Sequence, residues 1–522
     1  RRLRPMAPRL LTDPMLQCPG PDSVHVVWFT DAPAPGRVVA GGHVVEARAT
    51  RLTRMADDSG DALAPVEVWR HEALVRGLAP GQRLPYHVEV GGDEAQRSAT
   101  FHLRPAPRDT PVQLMLASDH QLHPNATRAM ELAHQTFGPV DGIVFAGDLA
   151  NVPDRAADWF HSPGAFFRSL QGRADATGSD RRVSRGAPLL QETPLWPAIG
   201  NHEVQGRVGP DRGLTMSAVP RHVAAAHCPG CLVGPERERW IEDHSWSVRT
   251  VEELFRLPTN PSGHSRWYAT TIGDVRLVTL FHTRQWRPAD ADANPSRRTR
   301  PSRFQESKRH LDEPLEQGHG CHVFQDLDPD GDQFRWLRDE LASAERAACR
   351  YTIVQLHEGA HGWGGNVEPP FGTPERIEER DEAGQLVGIR YEYDRARNHL
   401  ARTVMPLLED AGVQLVYSGH SHVWNRFAHG GTQYLEASNT GRSHGIHDAA
   451  NPRPVPPPPW RSECYTAVGN PYGVAPAAPP FGHSDVMTFT RFDSASGRLE
   501  SWRARVDGAP ECFDVVTLTP HG

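Results

Sequence analysis

Apolar and polar residues alternate in short runs near the start of the chain: SVHVVWFT (23–30), GRVVAGG (36–42), EVWRHEALVRGL (67–78) and LPYHVEV (84–90). Gly, Pro and Asp turns separate them, a spacing that predicts an antiparallel β-sandwich over residues 11–105. The Pro-rich stretch RPAPRDTP (104–111) reads as a linker. From residue 111 the pattern changes to apolar runs interleaved with helical segments, which predicts an α/β or layered αββα domain over 111–522. Helices are expected at 125–137, capped by Asn125 and ended by Gly138, at 332–348 and at 397–411. The second would bury Phe334, Leu337, Leu341 and Ala344, and the third Leu400, Val404, Leu407 and Ala411. Residues 485–518 read as closing strands of the second sheet, and 204–252 and 284–325 as insertions forming pocket walls.

Five of the apolar runs share an ending. PVQLMLASDHQ stops at Asp119, DGIVFAGDLAN at Asp148, TPLWPAIGNHE at Asn201 and His202, RYTIVQLHEGAH at His357, and GVQLVYSGHSH at His420 and His422. In sheets covered by helices these ends would converge at one rim, where ligands bind beyond the carboxyl ends of strands. With His202 set aside, two Asp, one Asn, three His and Gln121 form an oxygen and nitrogen donor set without thiolate, suited to Zn, Fe or Mn. The donors exceed what one ion needs, so two ions are expected, with Asp148 able to bridge them.

Composition narrows the classes without choosing among them. The 522 residues carry a formal net charge of −8, and no basic patch argues for nucleic acid. No window approaches the ~18–20 consecutive apolar residues of a membrane span. Nearly every basic residue is Arg, with Lys308 the single lysine. Seven cysteines are too few for a disulfide-built scaffold. The stretch RRLRPMAPRLL is basic but has no apolar h-region.

In order and spacing, SDHQ, GDLAN, GNHE, VQLHE and GHSH resemble the motif series of calcineurin-like metallophosphoesterases across 111–425. Within that family the chain is most similar to purple acid phosphatases and their bacterial relatives, which pair a fibronectin type III-like domain with the catalytic one. LVRGLAPGQRLPYHVEV (74–90), with Trp28 as an early core tryptophan, resembles a fibronectin type III module. The stretches 253–283 and DQFRWLRDEL (332–341) resemble further segments of those phosphatases. The resemblance implies a four-layer αββα catalytic domain and hydrolysis of a small phosphate ester by a metal-bound hydroxide. Phosphomonoesters come first among substrates; a phosphodiesterase and a non-catalytic metal- or phosphate-binding surface protein are the alternatives. It implies Asp119, Asp148 and His422 at the first ion, and Asp148, Asn201, His357 and His420 at the second. Gln121 either joins the first ion or is an ordinary loop amide, with His120 and His123 as substitutes for it. His202 would face the phosphoryl group, stabilising charge or protonating the leaving oxygen, or would instead hydrogen-bond a ligand. Arg442 and His444 would touch substrate. Secretion or a periplasmic location is also implied.

One departure matters. Asn151 stands where purple acid phosphatases carry the tyrosine whose bond to ferric iron gives the colour. The protein is therefore expected to be colourless, and an absorption band in the purple region of the metal-loaded form would contradict this. Two other motifs read as structure. DLDPDGDQ (326–333) resembles a calcium loop but has Leu337 where a bidentate Glu is needed, so an acidic turn before a helix is favoured. HCPGC (227–231) reads as a loop disulfide or plain thiols rather than a zinc half-site.

Overall fold

The structure is a computed structural model. It describes residues 8–92, 95–204, 228–245, 247–285, 327–360, 375–392, 398–443 and 475–521, with short pieces at 206–207, 214–215, 221–226, 322–324, 363–364 and 445–446. His444, most of 284–325 and the proline run 451–460 lie outside the described residues.

The N-terminal runs form two facing antiparallel sheets. One is ordered Met15–Gln17, Ser23–Thr30, Trp69–Arg76, Arg48–Arg51, and the other is built on Gly36–Ala40 and Leu84–Val90. Side chains of a strand point alternately to its two faces, and Ser23–Thr30 uses both. Val24, Val26 and Trp28 fill the sandwich core with Val38, Val75, Tyr86 and Val88. Val27 and Phe29 turn the other way, into the largest core of the molecule. There the Phe29 ring lies 5.2 Å from Phe160 and 5.4 Å from Phe167. That is why SVHVVWFT is nearly continuously apolar: each face of the strand is covered. Polar ties follow the same seam, with Tyr86 Oη donating to the Gln191 carbonyl at 2.6 Å and Arg54 buried against Asp154 at 2.9 Å.

Two six-stranded mixed sheets follow. The first is ordered Leu195–Pro197, Gly142–Phe145, Gln113–Ala117, Val486–Asp493, Arg498–Arg505, Glu511–Thr517. Its first three strands are parallel and the rest antiparallel. The C-terminal strands therefore extend the sheet that carries Asp119 and Asp148, not the second one as expected. The second sheet is ordered Tyr268–Ile272, Val275–Thr279, Tyr351–Gln355, Leu415–Ser418, Thr432–Ala437, Trp424–His429, with its four inner strands parallel. Along its strands Leu277, Ile353 and Leu415 pack into the core shared with Leu114, Leu116 and Ile143 of the first sheet. Val278, Val354 and Val416 point away, onto Leu337, Leu341, Leu400, Val404 and Leu408 of the covering helices. Below the rim, Gln355 Nε2 donates to the Trp196 carbonyl at 3.0 Å, tying the two sheets directly.

The helices differ from expectation in detail. Ala126–Phe137 forms, but the Asn125 side chain does not cap it; it bonds Ser179 and the Gly441 carbonyl instead. The helix at 332 stops at Leu341, and Ser343 N-caps a separate turn, Ala344–Ala347, leaving Ala344 exposed. The third begins as a wider π turn at Leu400–Val404 and continues as Met405–Asp410. Among the described residues no helix is long and apolar enough to cross a membrane.

Candidate metal centre

All five motif ends meet at one rim, three from the first sheet and two from the second. The turns that deliver them are tight. Nine non-glycine residues among those described have positive φ, and five are Asp119 (52°), Gln121 (40°), Asp148 (57°), His420 (81°) and His422 (54°). Left-handed backbone at non-glycine residues costs of order 1–3 kcal/mol each and clusters at functional sites. The motif glycines make room for this crowding. A Cβ on Gly147 would lie 2.7 Å from the Gly200 nitrogen and 2.8 Å from His357 Nδ1, and one on Gly419 would run into Ser118.

The residues expected at the second ion lie together. His357 Nδ1 donates to the Ala146 carbonyl at 2.6 Å, so its Nε2 lone pair faces inward. That atom lies 2.9 Å from Asn201 Oδ1 and 3.3 Å from Asp148 Oδ1. His420 Nδ1 meets the same Asn201 Oδ1 at 2.8 Å. Asp148, His357 and His420 form a buried cluster with ligand atoms within 4.8 Å of one another. Burial alone disfavours protonation of His357, but the Asp148 carboxylate outweighs it and raises the ring to about 10. Inward-facing acceptors that draw positive charge this strongly fit a cation between them.

The first-ion set is looser. His422 Nε2 lies 3.3 Å from Asp119 Oδ1, a buried oxygen that accepts no hydrogen bond among the described residues. Gln121 reaches the site, but its Nε2 donates to Asp148 Oδ2 at 2.6 Å, so its amide orients the central carboxylate. Asn151 presents its backbone carbonyl, which accepts from His202 Nδ1 at 2.7 Å. His202 Nε2 is thereby directed into the site, 3.9 Å from Asp148 Oδ2. Arg442 is exposed at the rim, with Nη1 3.5 Å from His123 Nδ1.

Several supporting residues were not anticipated. Glu203, next to His202, accepts from the backbone nitrogens of Asp148 (2.7 Å), Leu149 (2.8 Å) and Gly200 (2.8 Å), locking two motif loops together. Burial and the nearby Asp148 charge push it up to about 8. Glu436 accepts from Ser421 N at 2.8 Å and Asn425 Nδ2 at 3.0 Å, and so holds the residue between His420 and His422. Glu358 lies 3.4 Å from His420 Nε2, a carboxylate placed as one that backs a metal-binding histidine would be. Glu203 and Glu358 directly follow motif histidines, which was a usable signal; Glu436 ends an ordinary strand and gave none. Burial and the neighbouring His422 and Arg442 lower His123 to about 2. Of the two structural motifs, Asp328 and Asp330 lie in a turn ahead of the 332 helix, and Cys228 and Cys231 are free thiols.

No family model matches the sequence, and no curated protein does. Among solved structures, purple acid phosphatase PPD1 from yellow lupin (Lupinus luteus) seeds superposes with a TM-score of 0.55 at 14% identity, covering 98% of this chain and 74% of its own. GAP50, the anchor in the inner membrane complex of Plasmodium, covers 79% of this chain and 90% of its own at 11% identity, with a TM-score of only 0.36. The chain therefore shares the fold of that purple acid phosphatase, with mixed sheets and an accompanying β-sandwich.

Proposed function

We propose that this chain is a phosphoesterase with two metal ions, Fe, Zn or Mn, acting on phosphomonoesters. The observation that carries the reading is the buried meeting of Asp148, Asn201, His357 and His420, joined to Asp119 and His422 through the His420 backbone nitrogen on Asp119 Oδ2. Two ions held there would supply Lewis acidity and an activated water for attack on phosphorus. The protein's own groups then bind and orient. The Asn151 carbonyl fixes the His202 tautomer, and Nε2, once protonated, would donate to a phosphoryl oxygen or pass its proton to the leaving oxygen. Backbone nitrogens of His202 and His420 donate to Asp148 Oδ1 and Asp119 Oδ2, both at 2.9 Å, and hold the carboxylates in their poses. Arg442, exposed at the rim, would meet the phosphate. In the same reading, residues 11–105 are a fibronectin type III-like sandwich, 111–522 a four-layer αββα domain, and the protein is secreted or periplasmic.

Turnover of p-nitrophenyl phosphate and bis-p-nitrophenyl phosphate, with Zn, Mn and Fe supplied separately, tests this. The monoester is expected to be preferred and Asp148→Ala to be inactive. Preference for the diester would make the chain a phosphodiesterase. No turnover despite two bound ions would make it a binding protein.

A further inference from the structure

Resting on the two-ion reading, we propose that His123, not Gln121, is the third protein donor to the first ion. Four observations converge on it. The loop after Gln113–Ala117 doubles back through left-handed turns at Asp119, Gln121 and Leu122, which carries His123 to the His422 side of the site. Its ring lies 5.1 Å from that of His422 at 71°, nearly the arrangement of His357 and His420, whose rings are 5.2 Å apart at 81° and which share Asn201 Oδ1. His123 is 5% exposed, and its Nε2 is buried with no hydrogen-bond partner among the described residues. The Asp119 oxygen facing His422 is equally without a hydrogen bond.

An imidazole nitrogen and a carboxylate oxygen, each buried without a hydrogen bond among the described residues, belong to the two residues that pack beside His422. Together the three give the first ion two imidazoles and a carboxylate, to which the shared Asp148 adds a second carboxylate. The Gln121 amide nitrogen is held on Asp148 Oδ2, a contact in which Gln121 orients the central carboxylate. One contact opposes the assignment. An ion at Nε2 places the ring proton on Nδ1, where Arg442 Nη1 now sits at 3.5 Å. That distance is at the outer limit of a hydrogen bond, and the exposed guanidinium turns outward at little cost, towards the place where substrate phosphate would arrive.

The test is a competitive zinc titration of the full chain against a chromophoric chelator. The wild type is compared with His123→Ala, His123→Asp and Gln121→Ala, with folding checked by circular dichroism. The wild type is expected to bind two ions. His123→Ala should weaken one of them at least about tenfold and leave the other unchanged, His123→Asp should recover most of the loss, and Gln121→Ala should have a smaller effect. X-ray absorption of the zinc-loaded wild type, which does not depend on any variant folding, should count four imidazoles shared between two ions rather than three. Wild-type affinities in a folded His123→Ala, or a count of three imidazoles, overturns the assignment and leaves the two-ion reading standing. A wild type that binds no zinc overturns both.

Discussion

Arg54 follows the sandwich strand Arg48–Arg51, yet its guanidinium is buried against Asp154, far along the chain. The side chain is 1% exposed and pairs with Asp154, also 1% exposed, through Nη2–Oδ2 at 2.9 Å and Nε–Oδ1 at 3.2 Å. It also reaches Asp243 Oδ1 at 3.3 Å and the Asp243 carbonyl at 3.1 Å. Asp154 lies three residues beyond Asn151, whose carbonyl holds His202, so the pair braces a site loop from behind. Arg54→Met removes the charge but keeps most of the volume, leaving the Asp154 carboxylate buried. Removing one member of a buried pair costs about 3–5 kcal/mol. Thr250 Oγ1 still donates to Asp154 Oδ1 at 2.7 Å, which places the expected loss near the lower end, about 3 kcal/mol. The assay is urea unfolding of the metal-free chain followed by tryptophan fluorescence, because bound ions would add their own stabilisation. Arg54→Met/Asp154→Leu should recover much of the loss, since no uncompensated charge remains. A single-variant loss under about 1 kcal/mol, or a double variant no better than the single, would refute the idea that this pair welds the sandwich to the site.

Glu436→Gln replaces one acceptor oxygen by a donor at a place where only donors converge. It should cost about 1–3 kcal/mol in the same assay and weaken zinc binding about tenfold or more by calorimetry; unchanged binding would show that the loop between His420 and His422 holds itself. In the sandwich core, His71 Nε2 shares a hydrogen bond with Thr30 Oγ1 at 2.8 Å, the ring stacks on Trp28, and burial lowers it to about 4. The unfolded ring, near 6.5, binds its proton more readily than the folded one, so acid favours unfolding. The Tm of the metal-free chain should fall as pH drops from about 6.5 to about 4, and His71→Phe should flatten part of that slope; an identical slope would refute the assignment.

Much of the site was legible because its chemistry is written at strand ends. Each apolar run is short enough to be a buried strand and stops at a residue type that can bind metal, and in three of the five a glycine that the crowded rim requires stands just before it. Gln121 and His123 were harder to separate. Both lie in one short loop, and which of them faces the carboxylates depends on three departures from ordinary backbone at 119, 121 and 122, which no spacing rule encodes. The helix at 332 read as longer than it is because its apolar stripe continues in sequence through Ala344, whereas the Ser343 hydroxyl accepts from Arg346 N at 3.1 Å and starts a new turn. The double-faced strand at 23–30 was read as a sandwich strand alone. Its second apolar face, Val27 and Phe29, was visible as an unbroken run, but its partner Phe160 is far away in sequence.

The most direct measurement is anomalous diffraction from crystals of the chain loaded with zinc. Two peaks about 3.5–4 Å apart are predicted, one among Asn201, His357 and His420 and one beside Asp119 and His422, with Asp148 reaching both. A single peak, or two peaks that Asp148 does not bridge, would contradict the account.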